Sequence, residues 1–145
     1  WPHDNALIGM GFARYGLKEE ACRVLAAVYD AATHQEASRL PELFCGFNRR
    51  PNRAPTPYPV ACSPQAWAAA ALFGLVGSAV GLHLKQQEDE IHFRDPVLPE
   101  FLDDGILHKL SLGDSYITIR LHRYAQDVTA HVLSRAGTSR VIISK

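Results

Sequence analysis

Side chains able to do chemistry are concentrated in three short segments of the 145-residue sequence. They are Trp1-Pro2-His3-Asp4-Asn5, Pro41-Glu42-Leu43-Phe44-Cys45-Gly46 and Ala61-Cys62-Ser63-Pro64-Gln65-Ala66-Trp67. Each segment places polar or aromatic groups at the start of a predicted helix or in an irregular stretch beside one. Such positions can present side chains to a cavity that a rigid scaffold surrounds. We therefore expect a binding site built from these segments.

The other histidines and the cysteines show no pattern of a metal or nucleophile site. Histidines also occur at His34, His83, His92, His108, His122 and His131, without metal-ligand spacing. Cys22, Cys45 and Cys62 form no C-x-x-C pair, and we interpret them as reduced thiols of a cytoplasmic protein. No nucleophile elbow, phosphate loop or dinucleotide fingerprint occurs. The sequence predicts no metal and no cofactor.

The elements that must position these segments are helices in the first part of the chain. Apolar spacing predicts one helix over residues 4–15, ended by Gly16, and a second over residues 19–32. A third is predicted to start at Ser63-Pro64, because serine is a good cap and proline suits the first turn. Between the last two, five prolines make residues 40–62 a long irregular loop, which its aromatic residues favour as ordered.

The spacing beyond residue 82 changes to that of antiparallel strands. Apolar and polar residues alternate over residues 117–121, as in a half-buried strand. Gly113-Asp114 predicts a two-residue hairpin turn ahead of that strand. Residues 128–133 and 141–143 are predicted to continue the meander. The order indicates a mainly α region followed by β.

Composition and charge exclude two classes of partner. Fifteen Lys and Arg balance 15 Asp and Glu, so the formal net charge is zero. Binders of nucleic acids or of anionic membranes carry a basic surface instead. The uncharged run at residues 66–82 is shorter and richer in Ala and Gly than the roughly 20 strongly apolar residues that span a bilayer. We expect no nucleic-acid partner and no membrane partner.

Three strings, in this order, resemble one enzyme family. WPHDNALI, RLPELFCGF and PYPVACSPQAWAAAA, with the helix string RYGLKEEACRVL between the first two, resemble the C-terminal end of amylo-α-1,6-glucosidases and glycogen-debranching-type glycoside hydrolases. The similarity covers about the first 80 residues, and the strand region looks like the small β domain that often ends such chains. Because the chain begins at Trp1 rather than Met, we expect a piece of a longer protein.

The resemblance implies both a fold and a reaction. The fold would be the C-terminal part of an (α/α)6 barrel over residues 1–82, followed by a small antiparallel β domain over residues 83–145. The reaction would be inverting hydrolysis of α-glucosidic bonds in an oligosaccharide or polysaccharide. In such a reaction one carboxylic acid protonates the leaving oxygen while a second carboxylate activates water.

The resemblance assigns the general base to Glu42, the glutamate of the P-E-L-F string. Glu42 follows Pro41 in an irregular segment, and no cation lies at i+4 spacing to neutralise it. Local sequence alone favours a solvated loop carboxylate without a catalytic role. The family strings on both sides reverse that preference.

The resemblance assigns the remaining site residues to the sugar pocket. They are Trp1, His3, Asp4 and Asn5 in the first string, Gln65 and Trp67 in the third, and the loop residue Tyr58. An aromatic face can stack on a sugar ring, and Asp or Asn can hold its hydroxyls. Structural alternatives stay open at three positions: Asp4 as a helix N-cap, His3 in a structural hydrogen bond, and Trp67 in the core.

The second catalytic carboxylate has no candidate in this sequence. In the resembling family the general acid is an aspartate on an earlier helix, upstream of Trp1. We therefore expect a fragment that carries the base, lacks the acid and is inactive alone. The alternative is a non-catalytic module that binds carbohydrate or docks another chain. A partial barrel would also leave apolar helix faces uncovered, and we expect the helix at residues 66–82 either to expose an apolar patch or to be covered by the β region.

Overall fold

The computed structural model describes residues 1–125 and 127–145. Contacts divide the chain into two compact units, Trp1–Ser78 and Ala79–Lys145. Helices precede strands, as predicted, but the described residues form three α-helices and two small sheets and no α/α barrel. The expected (α/α)6 barrel segment is therefore wrong. The division into domains over residues 1–82 and 83–145 stays a prediction.

The first two helices form a hairpin. α1 (Pro2–Arg14) and α2 (Lys18–Thr33) confirm the predicted helices to within two residues at each end. The N–H of Leu17 donates to the carbonyl of Phe12 at 2.9 Å, across Gly16. This six-residue bond is the mark of a Schellman motif, which ends a helix at a glycine.

The third helix, α3 (Ala66–Ala79), begins two residues later than predicted. The Ser63–Pro64 peptide bond is cis and lies ahead of the helix. The carbonyl of Gln65 accepts the first helical bond, from the N–H of Ala69 at 2.9 Å. Near the other end, the ammonium of Lys18 donates to the carbonyl of Ser78 at 2.8 Å, where a cation offsets the negative end of the helix dipole.

The three helices meet at Gly9 of α1. A Cβ atom there would collide with Cδ2 of Leu75 on α3 and would lie 3.5 Å from Cγ1 of Val24 on α2. The helices thus bury their apolar faces against one another instead of in a barrel wall. An amphipathic pattern predicts which face of a helix is buried, but not which element covers it. This is why the helices were predictable and their arrangement was not.

The helix α3 is apolar on every side and still partly exposed. Trp67 is 61% exposed and Phe73 is 82% exposed, whereas Ala68 and Leu75 are buried. Of the two outcomes expected for this helix, the exposure of Trp67 and Phe73 favours an exposed apolar patch. Within the described part of the chain, no helix has the length and hydrophobicity needed to cross a membrane.

The second unit contains two three-stranded sheets. In the first sheet, β1 (Leu82–Lys85) pairs antiparallel with β2 (Glu90–Arg94), which pairs in parallel with β6 (Arg140–Ser144). In the second, β3 (Asp104–Leu112), β4 (Ser115–Tyr124) and β5 (Asp127–Ala136) form an antiparallel meander. The predicted strand at residues 117–121 and the turn at Gly113-Asp114 are confirmed. The prediction that the final strand continues the meander is wrong, because β6 joins β2.

Side chains in the turns hold β6 beside β2. The carboxylate of Asp89 accepts hydrogen bonds from the hydroxyls of Thr138, at 2.6 Å, and Ser139. The hydroxyl oxygen of Ser115 accepts from the backbone N–H groups of Thr138 and Ser139 at 3.1 and 3.2 Å. The Asp89 contacts join residues 49 and 50 positions apart, and the Ser115 contacts join residues 23 and 24 positions apart. The alternation of apolar residues therefore carries no information about them.

A charged cluster joins β3 to β4. The guanidinium of Arg120 donates to both carboxylate oxygens of Asp104, at 2.6 and 3.0 Å, and Nδ1 of His122 lies 2.9 Å from the same carboxylate. Chiefly through the Arg120 hydrogen bond, these contacts lower the pKa of Asp104 to about 2. The cluster is partly exposed to solvent, so salt screens it.

The turn into β1 generates a test of backbone crowding. Gly81 has a φ of +62°, and a Cβ atom there would collide with the carbonyl of Arg94. We expect Gly81→Ala to lower the free energy of unfolding by about 2–4 kcal/mol, from left-handed strain plus the collision. Chemical denaturation measures this loss. Gly113→Ala is the matched control, because Gly113 has a φ of +55° and open space around it. An equal loss in both variants would rule out the collision.

The Asp104 cluster generates a prediction about pH. The pKa of Asp104 is lowered from an ordinary value of 3.8 to about 2. The contribution of Asp104 to stability is therefore present above pH 4 and is lost as the pH falls through about 2. In the wild type, we expect the denaturant concentration at the unfolding midpoint to fall as the pH is lowered from 4 to about 2. We expect this fall to be smaller in Asp104→Asn. Asp114→Asn is the control, since Asp114 makes no ion pair within the described residues. Identical pH profiles for Asp104→Asn and the wild type would contradict this account.

Candidate functional site

Rings from two of the three predicted segments form one cluster of ring contacts in the first unit. The imidazole of His3 lies against the indole of Trp67, with centroids 4.5 Å apart and planes at 21°. The indole of Trp1 meets the imidazole edge-on, with centroids 5.5 Å apart. Trp1 and Trp67 are more than half exposed, whereas His3 is 5% exposed. The interpretation of Trp67 as a core residue is therefore wrong, and a buried imidazole contacts two exposed indoles.

Two buried side-chain atoms of the predicted site residues have no hydrogen-bond partner among the residues that the structure describes. Nδ1 of His3 and Oε1 of Gln65, two residues before Trp67, make no hydrogen bond within the described residues. Leaving such an atom unpaired costs about 1–3 kcal/mol, and unpaired buried groups in native proteins often mark places where water or a ligand binds. No structural hydrogen bond is present at Nδ1, so His3 has a free ring nitrogen to offer. We call Trp1, His3, Gln65 and Trp67 the aromatic site.

Asp4 and Asn5 lie at the exposed start of α1, next to the aromatic site. Trp1 occupies the N-cap position without a side-chain cap, and Asp4 lies in the first turn, so the N-cap interpretation of Asp4 is wrong. The side-chain amide of Asn5 donates to the carbonyl of Trp1 at 2.9 Å. Oδ1 of Asp4 lies 3.8 Å from Nε2 of His3. A carboxylate therefore lies close to the buried imidazole.

The arms of the long loop form an irregular antiparallel ladder. Its backbone bonds join Gln65 to Leu40 at 3.1 Å, Glu42 to Cys62 at 2.9 Å and Cys45 to Thr56 at 2.9 Å, and a β-bridge joins Phe44 to Pro57. Leu40 and Pro41 are buried and anchor one end of it. The prediction of an ordered loop is confirmed. The ladder also explains how Gln65 reaches its place at the start of α3.

Glu42 lies on this ladder with one carboxylate oxygen engaged. Oε2 accepts a hydrogen bond from the N–H of Cys62 at 3.2 Å, while the N–H of Glu42 donates to the carbonyl of Cys62. Oε1 makes no hydrogen bond to any residue the structure describes. This reciprocal pair fixes the carboxyl group in position and leaves one oxygen for another partner. Its partner lies 20 positions away, which no local pattern could predict.

The predicted site residues are thus only partly brought together. Trp1 and Trp67 both contact His3, and Gln65 precedes Trp67 by two positions in the sequence. Tyr58 lies in a turn of the long loop, where its carbonyl accepts from the N–H of Ala61 at 3.0 Å. Among the described ring contacts, none joins Tyr58 to the aromatic site. Its assignment to the sugar pocket stays a prediction.

A cluster that the sequence analysis missed lies in the second unit. Glu88, Glu90 and His92 hold potential metal-ligand atoms within 4.8 Å of one another, and the acidic spacing around His92 was a usable signal. The carboxylate of Glu90 already binds His92 at 2.7 Å and Arg140 at 2.6 Å. These partners, the His92 hydrogen bond first, lower the pKa of Glu90. Arg140 thus supplies a positive partner for Glu90 and joins β2 to β6.

Protein-family models give no match to this sequence, and the curated proteins give no significant match either.

Proposed function

We propose that this chain is part of a glycoside hydrolase acting on α-glucosidic bonds, and that its aromatic site binds a glucosyl unit of the substrate. The observation that carries the proposal is the buried Nδ1 of His3, which has no hydrogen-bond partner among the described residues and belongs to a ring that contacts two exposed indoles. Oε1 of Gln65, two residues before Trp67 in the sequence, is a second buried atom without such a partner. A few fixed polar atoms among aromatic surfaces are typical of small-molecule sites. A sugar ring suits them because it offers an apolar face to an indole and hydroxyl groups to the polar atoms.

The charges around the aromatic site favour a neutral ligand. None of its four side chains is a permanent cation, and the carboxylate of Asp4 lies 3.8 Å from the His3 ring. A phosphate or carboxylate ligand would lose its hydration here without gaining a cation. A sugar carries no charge and loses less. This contrast supports an oligosaccharide or polysaccharide as the partner.

Glu42 is proposed as the general base on the resemblance of its P-E-L-F string. Its Oε1 is available to accept a proton from water, and the bond from Cys62 to Oε2 holds the carboxyl group in place. An inverting reaction needs a second carboxyl group about 6.5–9.5 Å away. We assign no such group in this chain, so we propose that the acid comes from elsewhere in a longer protein. The chain alone then does not hydrolyse its ligand.

A non-catalytic carbohydrate-binding module is the second candidate. It is favoured by the reciprocal bonds between Glu42 and Cys62, which give the carboxylate a structural role without any chemistry. Both candidates require sugar binding at the aromatic site. They differ in whether the longer protein needs Glu42 for hydrolysis.

We also propose a cytoplasmic location. Cys62 is exposed and Cys45 is half-buried, and both carry free thiols. Reducing compartments keep such thiols from forming disulfides.

Titration with a maltooligosaccharide tests the aromatic site. We expect saturable binding, followed by calorimetry or NMR, and a loss of about tenfold or more in Trp67→Ala, because a central aromatic contact carries much of a ligand's affinity. Phe73→Ala is the matched control, since it removes an exposed aromatic ring from the same helix. Equal losses in the two variants, or no binding by the wild type, would refute the assignment.

A second variant tests the unpaired nitrogen directly. His3→Phe keeps a ring against Trp67 but removes the polar atom, so we expect the free energy of unfolding to rise by about 1 kcal/mol while sugar binding weakens. A stabilised protein that binds sugar as well as the wild type does would show that Nδ1 is not used.

Glu42→Gln in the longer protein tests the base. The amide oxygen can still accept from Cys62, so we expect folding and sugar binding to persist while hydrolysis falls about 10²- to 10⁴-fold, the usual range for general acid–base catalysis. The 145-residue chain itself should release no glucose. Unchanged hydrolysis in Glu42→Gln would leave the carboxylate with its structural role and favour the non-catalytic module.

A further inference from the structure

A separate cavity of about 480 Å³ lies in the first unit, between the end of α2 and the far part of the long loop. On the α2 side its lining residues are Asp30, Thr33 and His34, and on the loop side they are Cys45 and residues 47–56. None of the four residues of the aromatic site lines it. The cavity is therefore independent of the proposed sugar site.

The lining of this cavity is strongly cationic. Arg49, Arg50 and Arg53 all line it, and Asp30 is the one carboxylate among the lining residues. Nη1 of Arg49 lies 3.1 Å from Oδ2 of Asp30, so that pair is neutral. Two guanidinium groups remain without a compensating charge.

The guanidinium groups of Arg50 and Arg53 make few interactions with the residues that the structure describes. Nη2 of Arg50 donates to the hydroxyl oxygen of Thr56 at 3.3 Å, a neutral partner. The guanidinium of Arg53 makes no hydrogen bond or ion pair with any residue that the structure describes. Ten donor N–H groups on these two side chains are thus almost entirely available to a ligand.

The surrounding sequence also leaves this charge uncompensated. The 45 residues from 43 to 87 contain no Asp or Glu. The chain as a whole has equal numbers of acidic and basic residues, so the excess at residues 49–53 is local. This acid-free stretch was visible in the sequence, and it was the signal that could have located the cavity.

A backbone turn joins Arg50 to Arg53 within the loop. The N–H of Arg53 donates to the carbonyl of Arg50 at 3.3 Å across a turn in which Asn52 has a φ of +54°. The bond from Cys45 to Thr56, at 2.9 Å, joins the two ends of the loop segment that lines the cavity. Side chains of Asn48, Asn52 and His34 add uncharged hydrogen-bonding groups to the lining.

We propose that this cavity binds a phosphate group, either as inorganic phosphate or as the phosphate monoester of a small molecule, through Arg49, Arg50 and Arg53. A planar guanidinium matches phosphate oxygens in bidentate fashion, and several of them together neutralise its two negative charges. A volume of about 480 Å³ also holds a small organic group attached to the phosphate. The proposal goes beyond sugar hydrolysis and does not depend on it.

Titration with three probes at constant ionic strength tests the site: inorganic phosphate, glucose 6-phosphate and unmodified glucose. We expect phosphate and its ester to bind saturably and to compete, with chloride as the reference anion. Tighter binding of glucose 6-phosphate would identify a phosphate ester as the ligand, and equal binding would identify free phosphate. Chemical shifts of the arginine side chains in NMR report the location.

Matched variants decide whether the arginines are responsible. We expect Arg53→Gln and Arg50→Gln each to weaken phosphate binding about tenfold or more, the usual worth of a charge-assisted hydrogen bond. Asp30→Asn removes the competing carboxylate and should tighten binding about two- to fivefold, a gain that misfolding cannot produce. Arg135→Gln, an exposed arginine of β5 in the second unit, should leave binding unchanged.

Three results would overturn the proposal. They are no saturable binding of phosphate or its ester, displacement by chloride at equal concentration, and equal weakening in Arg53→Gln and Arg135→Gln. Trp67→Ala separates this site from the proposed sugar site, because it should leave phosphate binding intact. Failure of either site therefore leaves the other one testable.

Discussion

The hydrogen-bonded ladder within the long loop is the constraint on which both candidate sites depend. Five prolines between residues 41 and 59 remove backbone donors and prevent a helix or a regular sheet. The few cross-bonds that remain must therefore set the path of the chain. At one end, the bond from Gln65 to Leu40 fixes where α3 begins, and with it the place of Trp67. Toward the other, the bond from Cys45 to Thr56 closes the segment that carries the three arginines.

The predictable parts of the fold are those determined by short-range chemistry. Amphipathic spacing located α1 and α2, and strict alternation located the middle of β4, because each pattern reflects a face buried within a single element. The start of α3 was misplaced because the helix begins after Gln65 and not at Ser63. The N–H of Gln65 donates to the carbonyl of Leu40, 25 residues earlier. The parallel strand β6 and the absence of a barrel among the described residues have the same origin. Both are determined by contacts between residues that are distant in the sequence, and the periodicity of apolar residues does not indicate which elements make contact.

The candidate site divides along the same line. Residue types singled out the three segments, and the family resemblance then assigned Trp1, His3, Gln65 and Trp67 within them to a sugar pocket. That Nδ1 of His3 is buried without a hydrogen-bond partner, with its ring against Trp67, depends on contact between α1 and α3, which the sequence does not display. Trp67 was interpreted as a core residue because a helix that is apolar on every side does not reveal its exposed face. The carboxylate of Glu42 is likewise defined by Cys62, a partner on the opposite arm of the loop.

The parallel pairing of β6 with β2 also determines when the second unit can be completed. The paired residues lie about fifty positions apart, so translation at 5–20 residues per second separates the two strands by roughly 3–10 s. The meander of β3 to β5 joins strands that follow one another and can form during that interval. Strand β2 carries Ile91 and Phe93 of the core. The edge of β2 that pairs with β6 has no partner strand until β6 emerges. A nascent chain at this stage presents backbone groups that any other extended segment can join, so ribosome pausing ahead of β6 would prolong its exposure to misassembly.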